Sequence, residues 1–197
     1  MVDLIVAAYD RLQISSDVRF TRTRMIPSWF QRGTKDFPAL RGKAAQIAAL
    51  AAPLSEVAAT ILDTSVQHEA WMLLGLRNLA ECERILGRVV RDPWRLAPPD
   101  QRVFQQAVID FVDCNVALRS HFLGHVHAGN PVLLFHMTIK FHYLLHVAAR
   151  SAHESPRMSW CYSGESFMML VRNLVAASCR GTAECAVPSK VTQKGMT

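Results

Sequence analysis

The stretch Pro99–Pro131, PDQRVFQQAVIDFVDCNVALRSHFLGHVHAGNP, decides the fold. Proline followed by aspartate opens a helix well: the missing N–H falls where no intrahelical partner exists, and the carboxylate suits the positive end of the dipole. Phe104, Val108, Phe111 and Leu118 then recur at helical spacing. Gly129 can take the left-handed cap conformation, and Asn130 with Pro131 can start another helix almost at once. A connection that short makes the two helices antiparallel neighbours, with the C-terminal half of one against the N-terminal half of the other.

The same punctuation divides the rest of the chain, and strand signals are nearly absent. A short helix over Asp3–Leu12 leads into a segment broken by Pro27, Gly33 and Pro38, which reads as an irregular surface crossing. A second helix, Ala39–Leu62, carries Pro53, which is expected to kink or split it. Asp63 or Thr64 caps a third helix bearing Trp71, Leu74, Leu79 and Ile85, which stops before Pro93. Ser163, with Glu165 in the first turn, starts a sixth that runs through Phe167, Leu170 and Leu174 to Gly181. The fold expected is all-α, a single helical bundle of five to seven helices with the fourth, fifth and sixth at its centre. Residues 1–43 form an N-terminal helix and basic segment, 44–183 the bundle, and 184–197 a polar, frayed tail.

With 197 residues, half of them hydrophobic and 19% charged, the chain can bury a core without disulfides or metals as staples. Five cysteines in no paired spacing, and no leader-like N-terminus, point to free thiols and an intracellular protein, cytoplasmic or nuclear. The windows Ala44–Leu62 and Pro131–Ala149 are apolar enough to suggest membrane spans. The first is interrupted by Gln46, Pro53, Ser55 and Glu56, the second by Lys140 and three histidines, so both read as core helices. There is no G-x-S-x-G, phosphate-binding glycine loop or dinucleotide fingerprint, and no strand pattern to carry one.

Seven of the eight histidines fall between His121 and His153. Cys114, His121 and His125 lie within roughly 40° of one another on the fourth helix, and His142, His146 and His153 form a similar stripe on the fifth, flanking its apolar arc. Histidines at i and i+4 offer two imidazoles to one metal, so His121, His125, His142 and His146, with Cys114 as a nearby thiolate, are candidates for a zinc or iron site. The same spacing serves imidazoles that hydrogen-bond across a helical hairpin, or a packing interface that responds to pH. Asp110 and Asp113 could hold magnesium, but an i, i+3 acidic pair also suits a solvated face.

The basic residues are concentrated between Arg11 and Lys43, where eight of them stand against Asp17 and Asp36, giving +6, the net charge of the whole chain. Attraction to a polyanion should therefore originate there. Phe20, Trp29, Phe30 and Phe37 lie among the arginines, and aromatic rings can stack on unpaired bases while guanidinium groups contact phosphates. Arg19, Arg22, Arg24, Trp29, Phe30 and Arg32 are the nucleic-acid candidates. The alternative is a solvated loop anchored to the core by its rings.

Cys161, between Trp160 and Tyr162 before the sixth helix, is the thiol best placed for a depressed pKa, and no nucleophile signature accompanies it. The wording Phe135–His146, with K-F-H-x-L-x-H, followed by Ser155–Met168, with P-R-x-x-W-C-Y-x-G-E, resembles a multi-copy family of uncharacterised algal proteins. It covers about the last third of the chain. The resemblance implies a mobile-element or viral origin and one part of a longer ancestral protein, and it brings no activity. Without an RNase H-like sheet and upstream aspartates, Glu165 is not read as a transposase carboxylate. The expectation is a non-enzymatic binding or structural module that contacts nucleic acid through its basic segment, without a membrane span and within a homo-oligomer or larger parent assembly; the alternative is a helical zinc or iron protein.

Overall fold

The computed structural model describes residues 1–22, 25, 44–88, 94–127, 130–131 and 134–159. The chain divides into two units, Met1–Met158 and Ser159–Thr197. Among the described residues five α-helices fall in the first: α1 (Val2–Arg11), α2 (Ala44–Ile61), α3 (Gln67–Gly87), α4 (Pro98–Phe122) and α5 (Ile139–Arg150). Between α4 and α5 two two-residue strands, β1 (Val126–His127) and β2 (Asn130–Pro131), pair antiparallel, Val126 with Pro131 and His127 with Asn130. The protein is an all-α helical bundle. The expected sixth helix and frayed tail lie outside the described residues.

α1 packs its apolar face on α2. Ile5, Ala8 and Tyr9 are buried together with Phe20, Met25, Leu50 and Val57. The chain turns back after α1 around Arg19, whose guanidinium donates to the carbonyls of Ile14 (2.7 Å) and Tyr9 (3.3 Å) and to Asp10 Oδ1 (2.5 Å), with its carbon 5.6 Å from the Tyr9 ring centre. The Arg19 carbonyl in turn accepts from Gln46 Nε2 on α2 (3.2 Å). α2 runs through the buried Pro53 without being split there.

α3 and α4 form the most extensive helix pair, followed by α2 with α3. Among the described residues the centre is therefore α2–α3–α4; the part of the expected centre that falls on the sixth helix lies outside them. Gly75 of α3 faces α4: a Cβ there would lie 3.5 Å from that of Cys114 and 4.0 Å from the Phe111 ring, ordinary contact distances. Farther along, Cys82, Ile85, Leu96, Phe104, Ala107 and Val108 join Ala148 of α5 in a second core. α5 runs antiparallel to α4, as Phe111 stacks on Phe141 (5.9 Å between ring centres) and Gln105 Nε2 donates to the Ala148 carbonyl (3.1 Å). Arg157 closes the C-terminal end of α3, donating to the carbonyls of Leu86 (2.7 Å), Ile85 (3.1 Å) and Arg88 (2.5 Å). Those are acceptors a helix terminus leaves open.

Three boundaries differ from the sequence reading. α3 starts at Gln67, because Asp63 closes a local turn on the Ser65 N–H (2.9 Å) and Glu69 reaches back to the Asp63 N–H (2.6 Å). The Ser65 side chain, together with this N–H, holds the Asp63 carboxyl below its ordinary range. α4 ends at Phe122 and not near Gly129, since Gly124, at φ +82°, takes the left-handed position first. α5 then begins at Ile139 and not at Asn130, with the Thr138 hydroxyl capping it by accepting from the Lys140 N–H (3.3 Å).

Candidate functional site

Where α2, α3 and α4 meet, small residues leave a cavity of about 340 Å³. Leu54, Val57 and Ala58 wall it from α2, Met72, Gly75 and Leu76 from α3, and Phe111, Asn115 and Leu118 from α4, with Met1, Ile61, Leu62 and Phe135 completing the lining. Asn115 is the one polar side chain among these residues. Its Nδ2 donates to the Phe111 carbonyl (2.7 Å), and its other N–H and carboxamide oxygen add to the hydrogen-bonding capacity of the wall. The lining side chains include no acid, base or nucleophile.

Phe135 reaches this cavity from a strained backbone. Its φ of +54° lies in the left-handed region, sparsely occupied by bulky residues. Stacking on Phe122 (ring centres 5.6 Å apart, 26° between planes) holds it there. Phe122 belongs to an aromatic group at the end of α4. His68 stacks on His121 (4.7 Å, 16°), Trp71 and Phe122 meet the His121 ring edge-on at 6.4 and 4.8 Å, and His125 lies 5.4 Å from both His121 and Phe122.

His68 is the one histidine outside the sequence cluster, and the sequence reading missed it. His68 and His121 keep the antiparallel register of Gly75 and Cys114, each lying seven residues from that contact along its own helix, a register that spacing on a single helix does not reveal.

The four candidate histidine ligands form two pairs, not one site. His121 lies beside His125, and His142 meets His146 with Nε2 atoms 2.9 Å apart and ring centres at 4.4 Å. His142 follows Phe141, which stacks on Phe111, whereas His121 is ten residues farther along α4, about 15 Å at the helical rise. Phe141 of α5 thus lies beside the middle of α4 and not its end, and this offset separates the pairs. Cys114 is buried against α3, where burial pushes its thiol above the ordinary value and Asp110 and Asp113 add to the shift. Among the described residues no group of three or more His, Cys, Asp or Glu could hold a metal ion.

Asp110 accepts from Gln106 Nε2 (2.7 Å) along its own helix. Cys82, in the second core, has its thiol pushed up to about 12 by burial, with Glu83 and Glu81 adding. Of the nucleic-acid candidates, Arg19 is bound in its turn and Arg22 pairs with Asp3; Arg11, from the same basic segment, pairs with Glu56. Arg24, Trp29, Phe30 and Arg32 lie outside the described residues, as do Cys161 and Glu165. No helix among the described residues is long and apolar enough to cross a membrane. Comparison with protein-family models, with curated proteins and with solved structures finds no match for this chain.

Proposed function

We propose that the protein is a non-enzymatic binding module whose helical bundle takes a small apolar molecule between α2, α3 and α4. The observation that carries this reading is the cavity of about 340 Å³ with Asn115 as its single polar side chain. An apolar cavity of roughly 150 Å³ accommodates a benzene-sized ligand, so this one suits a molecule of two rings or an equivalent hydrocarbon chain. Its volume falls within the range of roughly 300–1,000 Å³ usual for ligand pockets, which combine an apolar lining with a few orienting polar groups. Gly75 supports the reading: glycine inside a helix costs about 1 kcal/mol relative to alanine, and here it enlarges the cavity. The strained Phe135 at the lining is a second feature of the kind that collects at ligand sites.

The test is fluorescence titration with N-phenyl-1-naphthylamine, a neutral two-ring probe that brightens in apolar surroundings. A saturable rise with a Kd of about 1–100 μM is expected from ligand-efficiency bounds. Ala58→Phe, which places a ring in the cavity from the α2 wall, should weaken binding at least about tenfold, equivalent to 1.4 kcal/mol, with helix content unchanged. Saturable binding that Ala58→Phe leaves intact, or no saturable binding at all, would refute the proposal.

A further inference from the structure

We propose that His142 and His146 form an exposed two-imidazole site on α5 for a divalent transition cation, Cu2+ bound most tightly and Ni2+ next. The argument is geometric and independent of the apolar cavity. Two imidazoles that ligate one cation at about 2.1 Å through Nε2 and subtend a right angle place their nitrogens about 3.0 Å apart and their ring centres about 4.6 Å apart. The structure has 2.9 Å and 4.4 Å. A tetrahedral angle would need nitrogens about 3.4 Å and ring centres about 5.2 Å apart, so the pair lies nearer the spacing of adjacent positions of a square or octahedral ion. Cu2+ and Ni2+ prefer square-planar or tetragonal arrangements of nitrogen and oxygen ligands, and Cu2+ leads the affinity order for such donors.

The helix supplies this arrangement because i and i+4 side chains lie one above the other along α5. Both rings are exposed, so the remaining coordination positions are open to water or to a further ligand. Without metal, one Nε2–H donates to the other Nε2. Ligation requires a lone pair on both nitrogens. The donor ring therefore loses its Nε2 proton to water and takes one back at Nδ1, remaining neutral, and the cation is then bound by both Nε2 atoms. The other i, i+4 pair offers a poorer approach, since its ring centres are 5.4 Å apart and His121 is stacked on His68.

Calorimetric titration of the full chain, purified without a histidine tag, with CuCl2, NiCl2 and ZnCl2 tests the site, and visible absorption of bound Cu2+ reports its nitrogen ligands. One equivalent of Cu2+ is expected, followed in affinity by Ni2+ and then Zn2+. His142→Asn and His146→Asn should each weaken Cu2+ binding at least about tenfold, the scale on which even outer partners of a ligating histidine act. The double substitution His121→Asn with His125→Asn should leave that binding in place. Because His142 and His146 are solvent-exposed, circular dichroism should show unchanged helix content. Below 0.1 equivalents of Cu2+ bound, zinc bound more tightly than nickel, or Cu2+ binding lost through His121 and His125 instead would overturn the proposal. None of these outcomes depends on whether the apolar probe binds.

Discussion

Arg19 shows how the fold changes the meaning of a residue. In the sequence it is one of eight basic residues in a stretch suited to phosphate, and in the structure its guanidinium fastens the turn after α1 to two carbonyls and a carboxylate. Hydrogen bonds from a charged donor to buried or half-buried acceptors are worth about 1.5–3 kcal/mol. Arg19→Met should therefore lower unfolding free energy by about 2 kcal/mol, and Arg19→Lys should recover less than half, because an ammonium cannot present a planar fork to acceptors on several sides. Urea unfolding measures both. Equal stability of all three proteins would show that the turn is held by Tyr9 and Phe20 packing alone. Charge was legible in the sequence here. What it pairs with was not, because Asp10, Tyr9 and Ile14 become its partners only once the chain reverses.

At the level of elements, the starts and stops that depend on nearest neighbours were readable. Pro98 and Pro99 begin α4, and α1 ends within a residue of its expected limit. The misplaced boundary came from two competing glycines: Gly124 terminates α4 before Gly129 can, and Thr138 caps α5 eight residues after Asn130 had seemed to. Nor could the sequence show that Arg157 would cap α3 from about seventy positions away. That contact gives the arginine of the P-R-x-x-W-C-Y wording a physical role, since guanidinium donors at a helix C-terminus satisfy open carbonyls and suit the dipole. Arg157→Ala should cost about 2–3 kcal/mol and fray the last turn of α3. Amide exchange at Ile85–Gly87 would report the fraying. Unchanged protection there, together with an unchanged urea midpoint, would reduce Arg157 to a surface residue.

For the whole molecule, the unreadable quantity was the offset between helices. Spacing along a single helix identified the His142–His146 pair, but whether it meets His121 and His125 depends on the length of path through the β1–β2 hairpin. The cavity is lined mainly by α2, α3 and α4. Leu54 and Val57 on the α2 wall belong with the α1–α2 core, and the facing walls come from α3 and α4. A ligand bound there stabilises the folded chain by mass action, about 2.7 kcal/mol at a hundredfold excess over Kd. Since its contacts come from three helices, amide exchange should slow in α2, α3 and α4 together, with α3 and α4, the most extensively paired helices, the slowest in the free protein. With N-phenyl-1-naphthylamine present, slowing confined to α3 and α4 would remove α2 from the site. Slowing that persists in Ala58→Phe would place the probe elsewhere on the molecule.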